Sequence, residues 1–234
     1  MWSFLTRMMA LTLCLLLGAC GQPSYEPVGS NRAPASTKQY TYGYSDPATE
    51  QFKDDVQTNH APKQGLQELS FVNLKGESVS LKKYLGTKNL VLIVTRGHIP
   101  GQPLCPMCSS HTSRLISNYD EIAKRNAEVV VVFPVSWGIE EPQFDAFRQA
   151  AKEALSKDDT GIPFPMLFDL ELTAVKNLEI EKDLSKPATY ILDRKGQVRF
   201  AYVGDTPVDR PSMKAILKQL DELQGGKKPA ESKS

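Results

Sequence analysis

An excess of charge of one sign is missing from this sequence. Its 234 residues hold 28 Lys and Arg against 27 Asp and Glu, a formal net charge of +1. So even a balance creates no long-range field toward nucleic acid or an acidic surface, and nucleic acid is not an expected partner. The charges of both signs are interspersed and read as a solvated face. Long apolar runs are also lacking. The N-terminal run over residues 8–17 falls short of the ~20 residues that span a bilayer. There is no Gly-rich phosphate loop, no nucleophile elbow around a serine, and no internal repeat. Cysteine is scarce, with four residues: Cys14, Cys20, Cys105 and Cys108. With 41% hydrophobic and 24% charged residues, the chain has the composition of a globular domain that needs no disulfide staples to bury a core.

The first segment reads as an address. One cation, Arg7, precedes the apolar run, and small residues follow it. The stretch Leu17-Gly18-Ala19-Cys20 resembles the lipobox of bacterial lipoproteins. That resemblance implies cleavage before Cys20, a lipid on its thiol, and membrane attachment through that anchor. Residues 1–19 are then a signal, and the expected location is the cell envelope, on the extracytoplasmic face. Gly21 at the next position, in place of aspartate, favours the outer membrane where there is one. An ordinary signal with Cys20 as a free thiol is the plainer alternative. Residues 20–60 are rich in Pro, Gly, Ser, Thr, Asn and Tyr and read as a flexible tether, with a thin helical pattern over 46–57. Removal of the signal takes Cys14 with it, and acylation occupies Cys20. Two thiols then remain, in one Cys-x-x-Cys pair of a chain sent to an oxidising compartment.

From residue 61 onward the pattern alternates between strand and helix. Residues 90–95 (LVLIVT) and 129–135 (VVVVFPV) read as strands buried on both faces. Residues 188–193 (ATYILD) and 197–203 (QVRFAYV) read as a hairpin turning through Arg194-Lys195-Gly196. A further hairpin is expected over 69–74 and 78–81. Helical spacing marks 106–125, 141–155, 170–178 and 211–223. This order is that of an α/β domain over 61–224, followed by a polar tail from 225 to 234 that should be disordered.

Cys105-Pro106-Met107-Cys108 falls between a buried strand and a helix. A helix N-terminus offers unpaired N–H groups and the positive end of the dipole, which stabilise a thiolate. Pro106 suits the first helical turn. Cys105 is therefore the expected nucleophile with the lower pKa, and Cys108 the resolving thiol one turn further in. A purely structural disulfide across so small a loop would constrain the fold little. A metal module using His98, Cys105, Cys108 and His111 is a third reading, with awkward ligand spacing. The aromatic residues Phe133, Trp137, Phe144, Phe147, Phe164 and Phe168 read as core or rim, with Trp137 and the 163–165 stretch as candidate groove residues.

Residues 89–97 (NLVLIVTRG), 105–108, 168–178 (FDLELTAVKNL) and 186–211 (KPATYILDRKGQVRFAYVGDTPVDRP) together resemble the thioredoxin-like superfamily. The similarity is to its peroxiredoxin-like branch, the alkyl hydroperoxide reductase and thiol-specific antioxidant group. It implies an α/β thioredoxin-like fold, a central mixed sheet with flanking helices. It implies thiol–disulfide exchange, or thiol-dependent peroxide reduction, with no bound cofactor. The partners so implied are protein disulfides or thiols, or peroxide, together with an electron donor. Pro187 matches the family's cis proline facing the cysteines. Lys186 or Arg96 would stand for the arginine that brackets the thiolate, Arg96 being equally readable as a surface residue. Gln102 stands where the family carries threonine, and residues 98–104 form a longer approach to the first cysteine than is usual there.

Overall fold

The computed structural model describes residues 52–138, 141–155 and 161–225. The chain separates into two units, Met1–Thr41 and Tyr42–Ser234, and every described residue belongs to the second. The proposed lipobox, Cys14, Cys20 and the tail after residue 225 lie outside the described residues.

Seven strands form one mixed sheet. They are β1 (Ser70–Asn73), β2 (Ser78–Ser80), β3 (Asn89–Val94), β4 (Ala127–Val135), β5 (Met166–Leu170), β6 (Ala188–Leu192) and β7 (Val198–Val203), in the spatial order β2-β1-β5-β4-β3-β6-β7. β3, β4 and β5 run parallel, and the outer strands are antiparallel to their neighbours. The helices are α1 (Pro106–Ser117), α2 (Tyr119–Lys124), α3 (Glu141–Leu155), α4 (Thr173–Asn177) and α5 (Met213–Gln224). This is the thioredoxin-like architecture.

Period-two alternation explains how the central strands serve two cores. Val91 and Ile93 of β3, with Val129, Val131 and Phe133 of β4, face one side. There they meet Leu115, Ile122, Phe144, Phe147, Ile216 and Leu220 from α1, α2, α3 and α5. Leu90, Leu92, Val94, Val130 and Val132 face the other side, covered by α4 and by the β1–β2 region. Both faces are buried, so residues 90–94 of β3 and 129–135 of β4 are apolar throughout.

Several elements differ from the sequence pattern. The helix expected over 106–125 is broken at Asn118, whose side chain donates 2.8 Å to the Arg114 carbonyl and ends α1. β5 was not legible as a strand, because Asp169 interrupts its short apolar run. That carboxylate turns back to accept the Ala174 and Val175 N–H groups at 2.7 and 2.8 Å, fixing the start of α4. The folded unit also begins earlier than residue 61. Phe52 and Val56 are buried, and residues 52–57 form no helix. Asn59 satisfies the edge of β7, donating to the Val203 carbonyl at 2.9 Å and accepting the Val203 N–H at 2.8 Å.

Candidate active site

β3 ends at Val94, and the chain must then leave the sheet sharply. Gly97 makes this possible, with φ of 97°. A Cβ there would lie 2.4 Å from the Pro134 carbonyl oxygen and 2.8 Å from Leu184, so no other residue fits without displacement. Residues 98–104 then lead to Cys105, the N-cap of α1, with Pro106 in the first helical position. The Cys105 carbonyl accepts the Ser109 N–H at 2.9 Å, which sets Cys108 one turn into the helix.

The donors of the site converge on Cys108. Its Sγ accepts the Arg96 backbone N–H at 3.4 Å and the Arg210 Nη2–H at 3.2 Å. Arg210 is 2% exposed, and its Nε–H is held by the Pro207 carbonyl at 2.8 Å. Burial opposes ionisation of Cys108. The hydrogen bond from Cys105, the Arg210 charge and the Arg96 N–H outweigh it, bringing the thiol to about 5. Cys105 is pushed up, first by its hydrogen bond to Cys108 and then by burial. The pair thus keeps one proton on Cys105 and the negative charge on Cys108. The sequence expectation had placed the lower value on Cys105. The helix N-terminus does act on that sulfur, through the Cys108 N–H, but the hydrogen bond to Cys108 and burial outweigh it.

The other expected residues are placed as follows. Arg96 reaches Cys108 only through its backbone, while its guanidinium pairs with Asp183 at 3.3 Å. Lys186 pairs with Asp205 at 2.9 Å. The bracketing cation is therefore neither of these but Arg210, which the local sequence does not single out. Pro187 is buried one residue beyond the Ala188–Val94 pairing, at the end of β6 beside the turn into Arg96. Its carbonyl accepts the Gly204 N–H at 2.8 Å. Trp137 packs on Phe144 and Phe168, with ring centres 5.3 and 5.5 Å away, and belongs to the helix-side core and not to a groove at the sulfurs. His98 and His111 are buried, and none of their ring nitrogens has a hydrogen-bond partner among the described residues. Among the described residues no three His, Cys, Asp or Glu side chains are grouped to hold a metal ion.

Phe52 is the second residue that sequence reading missed. Its ring packs with Cys105, Met107 and Cys108, and Val208 borders the group. An isolated phenylalanine in a polar, turn-rich stretch carries no period to reveal this contact.

A thiolate held at the first turn of the helix that follows a central parallel strand defines a thiol oxidoreductase of thioredoxin-like fold. The family model described as the AhpC/TSA family matches residues 58–201, more than half of the chain, and the protein belongs to that family. The family carries thiol peroxidase or thiol oxidoreductase activity. No curated protein matches the sequence. Among solved structures, it is similar to the reduced 2-Cys peroxiredoxin of Plasmodium vivax, at 19% identity and a TM-score of 0.50, over 67% of this chain and 90% of that one. It is similar to peroxidoxin BcpB of Mycobacterium tuberculosis at 15% identity and 0.51, over 72% and 99%. For peroxiredoxin 6 of Arenicola marina the values are 17% and 0.53, over 70% and 73%. At these identities the likeness is one of fold.

Proposed function

We propose that this protein is an extracytoplasmic thiol oxidoreductase that reduces small hydroperoxides through the Cys105–Cys108 dithiol. The observation that carries the reading is the Arg210 guanidinium 3.2 Å from Cys108 Sγ. It holds a thiolate, the nucleophilic form, at neutral pH. Cys108 attacks one peroxide oxygen, the O–O bond breaks, and the leaving alkoxide or hydroxide takes a proton. Cys108 is then a sulfenic acid. The Cys105 thiol, hydrogen-bonded to Cys108 in the reduced state, displaces that hydroxyl as water and closes a disulfide. An external protein dithiol returns both electrons by exchange, leaving itself as a disulfide. The last step is the thiol–disulfide exchange that the Cys-x-x-Cys spacing itself suggests.

The experiment is a pair of single substitutions in the full chain. Cys108→Ser should abolish peroxide consumption. Cys105→Ser should consume one equivalent and stop as a sulfenic acid, trapped by dimedone and read by mass. If Cys105→Ser instead accumulates a mixed disulfide with protein and never a sulfenate, protein-disulfide exchange is the activity. If Cys105→Ser is silent and Cys108→Ser forms the sulfenate, the attacking sulfur is Cys105.

The extracytoplasmic part of the reading rests on Leu17-Gly18-Ala19-Cys20. Cleavage before Cys20 and acylation there would moor the domain to the envelope, stable anchoring requiring more than one acyl chain. Intact mass of the mature chain tests it, and an unmodified Cys20 thiol would refute it.

A further inference from the structure

Both sulfurs are closed off from solvent. Cys105 is 2% exposed and Cys108 1%. The cover comes from outside the family-matched segment, which begins at residue 58. Part of it is Phe52, carried on a strap with Lys53 and Asp54, and Val208 borders the same group. The Phe52 ring lies against Cys105, Met107 and Cys108 and is 5% exposed. The Arg114 guanidinium stacks over it at 4.5 Å, and the His111 ring meets its edge at 5.2 Å.

The strap is fastened at three successive points. The Lys53 N–H donates to the Arg210 carbonyl, and the Ser212 N–H donates to the Lys53 carbonyl, both at 2.8 Å. The Lys53 ammonium pairs with Asp209 at 2.7 Å. The Asp54 carboxylate accepts the Ser212 hydroxyl at 2.5 Å and pairs with Lys214 at 3.1 Å. These are few bonds at the margin of the fold, and the ion pairs are partly or largely exposed. Such a segment opens locally at a lower cost than the sheet.

We propose that Phe52 is a specificity-determining residue, a side-chain lid that selects reactants of the dithiol by size. A peroxide needs only a small excursion of the ring. A protein dithiol must bring its own sulfur to the buried pair, which requires the strap to leave Arg210 and Ser212. Oxidant and reductant therefore meet different barriers at one site. This inference rests on the dithiol's being the reactive group, as argued above.

The test compares two thiol reagents on the reduced full-length chain at neutral pH, iodoacetamide and a polyethylene-glycol maleimide, with modification of the Cys105–Cys108 peptide read by mass apart from that of Cys14 and Cys20. Both report the same thiolate, so the ratio of their rates cancels any change in its pKa and leaves access. Phe52→Ala should raise the ratio of bulky to small reagent at least about tenfold. Phe52→Leu should raise it less. Asp54→Ala, which touches neither sulfur, should also raise it by loosening the strap. The two milder variants keep the test decisive if Phe52→Ala fails to fold, as circular dichroism would show. An unchanged ratio in the folded variants overturns the lid. Alkylation needs no turnover, so an inactive enzyme with a shifted ratio refutes the redox reading and leaves the lid standing. An active enzyme with an unshifted ratio does the reverse.

Discussion

Arg210 and Cys108 lie 102 positions apart in the chain and 3.2 Å apart in the fold, guanidinium to sulfur. Neither is exposed, so the cation and the thiolate are each other's compensation inside the protein. Arg210→Met removes the charge with little loss of side-chain volume. The Cys108 pKa should then rise by at least ~1 unit, reducing thiolate about tenfold at pH below it. Ultraviolet absorbance of the thiolate against pH checks this. Arg210→Lys should fall between the two, because a lysine lacks the second donor that holds the Pro207 carbonyl.

The same shift makes stability depend on pH. Cys108 is lowered to about 5 in the folded state, whereas an unfolded thiol titrates near ~8.5. A depressed acid contributes stability that is complete above the unfolded value and is lost as pH falls toward the folded one. Cys105 is raised, and its contribution is lost as pH climbs past the ordinary thiol range. The reduced protein should gain stability over Cys108→Ser between about pH 5 and pH 8, and the gain should stop rising above about 8.5. Urea midpoints of the two proteins, measured under strong reductant, give the difference directly.

His98 predicts acid sensitivity. It is buried against the edge of Phe147, with ring centres 5.3 Å apart, and burial lowers it to about 4. The unfolded imidazole takes its proton near ~6.5, so stability falls as pH drops from there toward 4. His98→Phe removes the titrating group and keeps a ring against Phe147. Its loss of stability between pH 7 and pH 5 should be smaller than that of the parent, measured by denaturant midpoint. An equal loss would place the acid sensitivity elsewhere.

Asp169 separates scaffold from site. Its carboxylate takes two N–H groups at the start of α4, on the sheet face away from α1. Asp169→Ala leaves both donors buried without their partner, and should cost about 1–3 kcal/mol. The Cys108 titration should stay in place. Thermal unfolding and thiolate absorbance on the same variant read the two effects apart.

The parts of this fold legible in the sequence are those with a repeating pattern. The buried runs over β3 and β4, the β6–β7 hairpin and α3 announce themselves through apolar period and a glycine turn. The same is true of the Cys-x-x-Cys at a strand-to-helix junction, where chemistry is coded in adjacent residues. The rest depends on contacts between segments far apart. Arg210 stands among polar neighbours and looks like any surface arginine until the fold buries it beside a sulfur. β5 hides because Asp169 serves a helix and not the sheet. The order of the two thiols turns on the same distinction. The helix end is a local property of Cys105, whereas the guanidinium reaches Cys108 from another part of the chain.

The strap has a mechanical meaning as well. Phe52 follows directly from the N-terminal segment, so whatever holds that segment also holds the strap. A pull along the chain is first borne by the two hydrogen bonds that Lys53 makes with Arg210 and Ser212. They must part before load reaches Val56 and the sheet behind it. With the anchor proposed at Cys20, the cover of the dithiol would also be the mooring of the domain, and tension on the chain ahead of Phe52 would act on the door of the site before it acts on the fold.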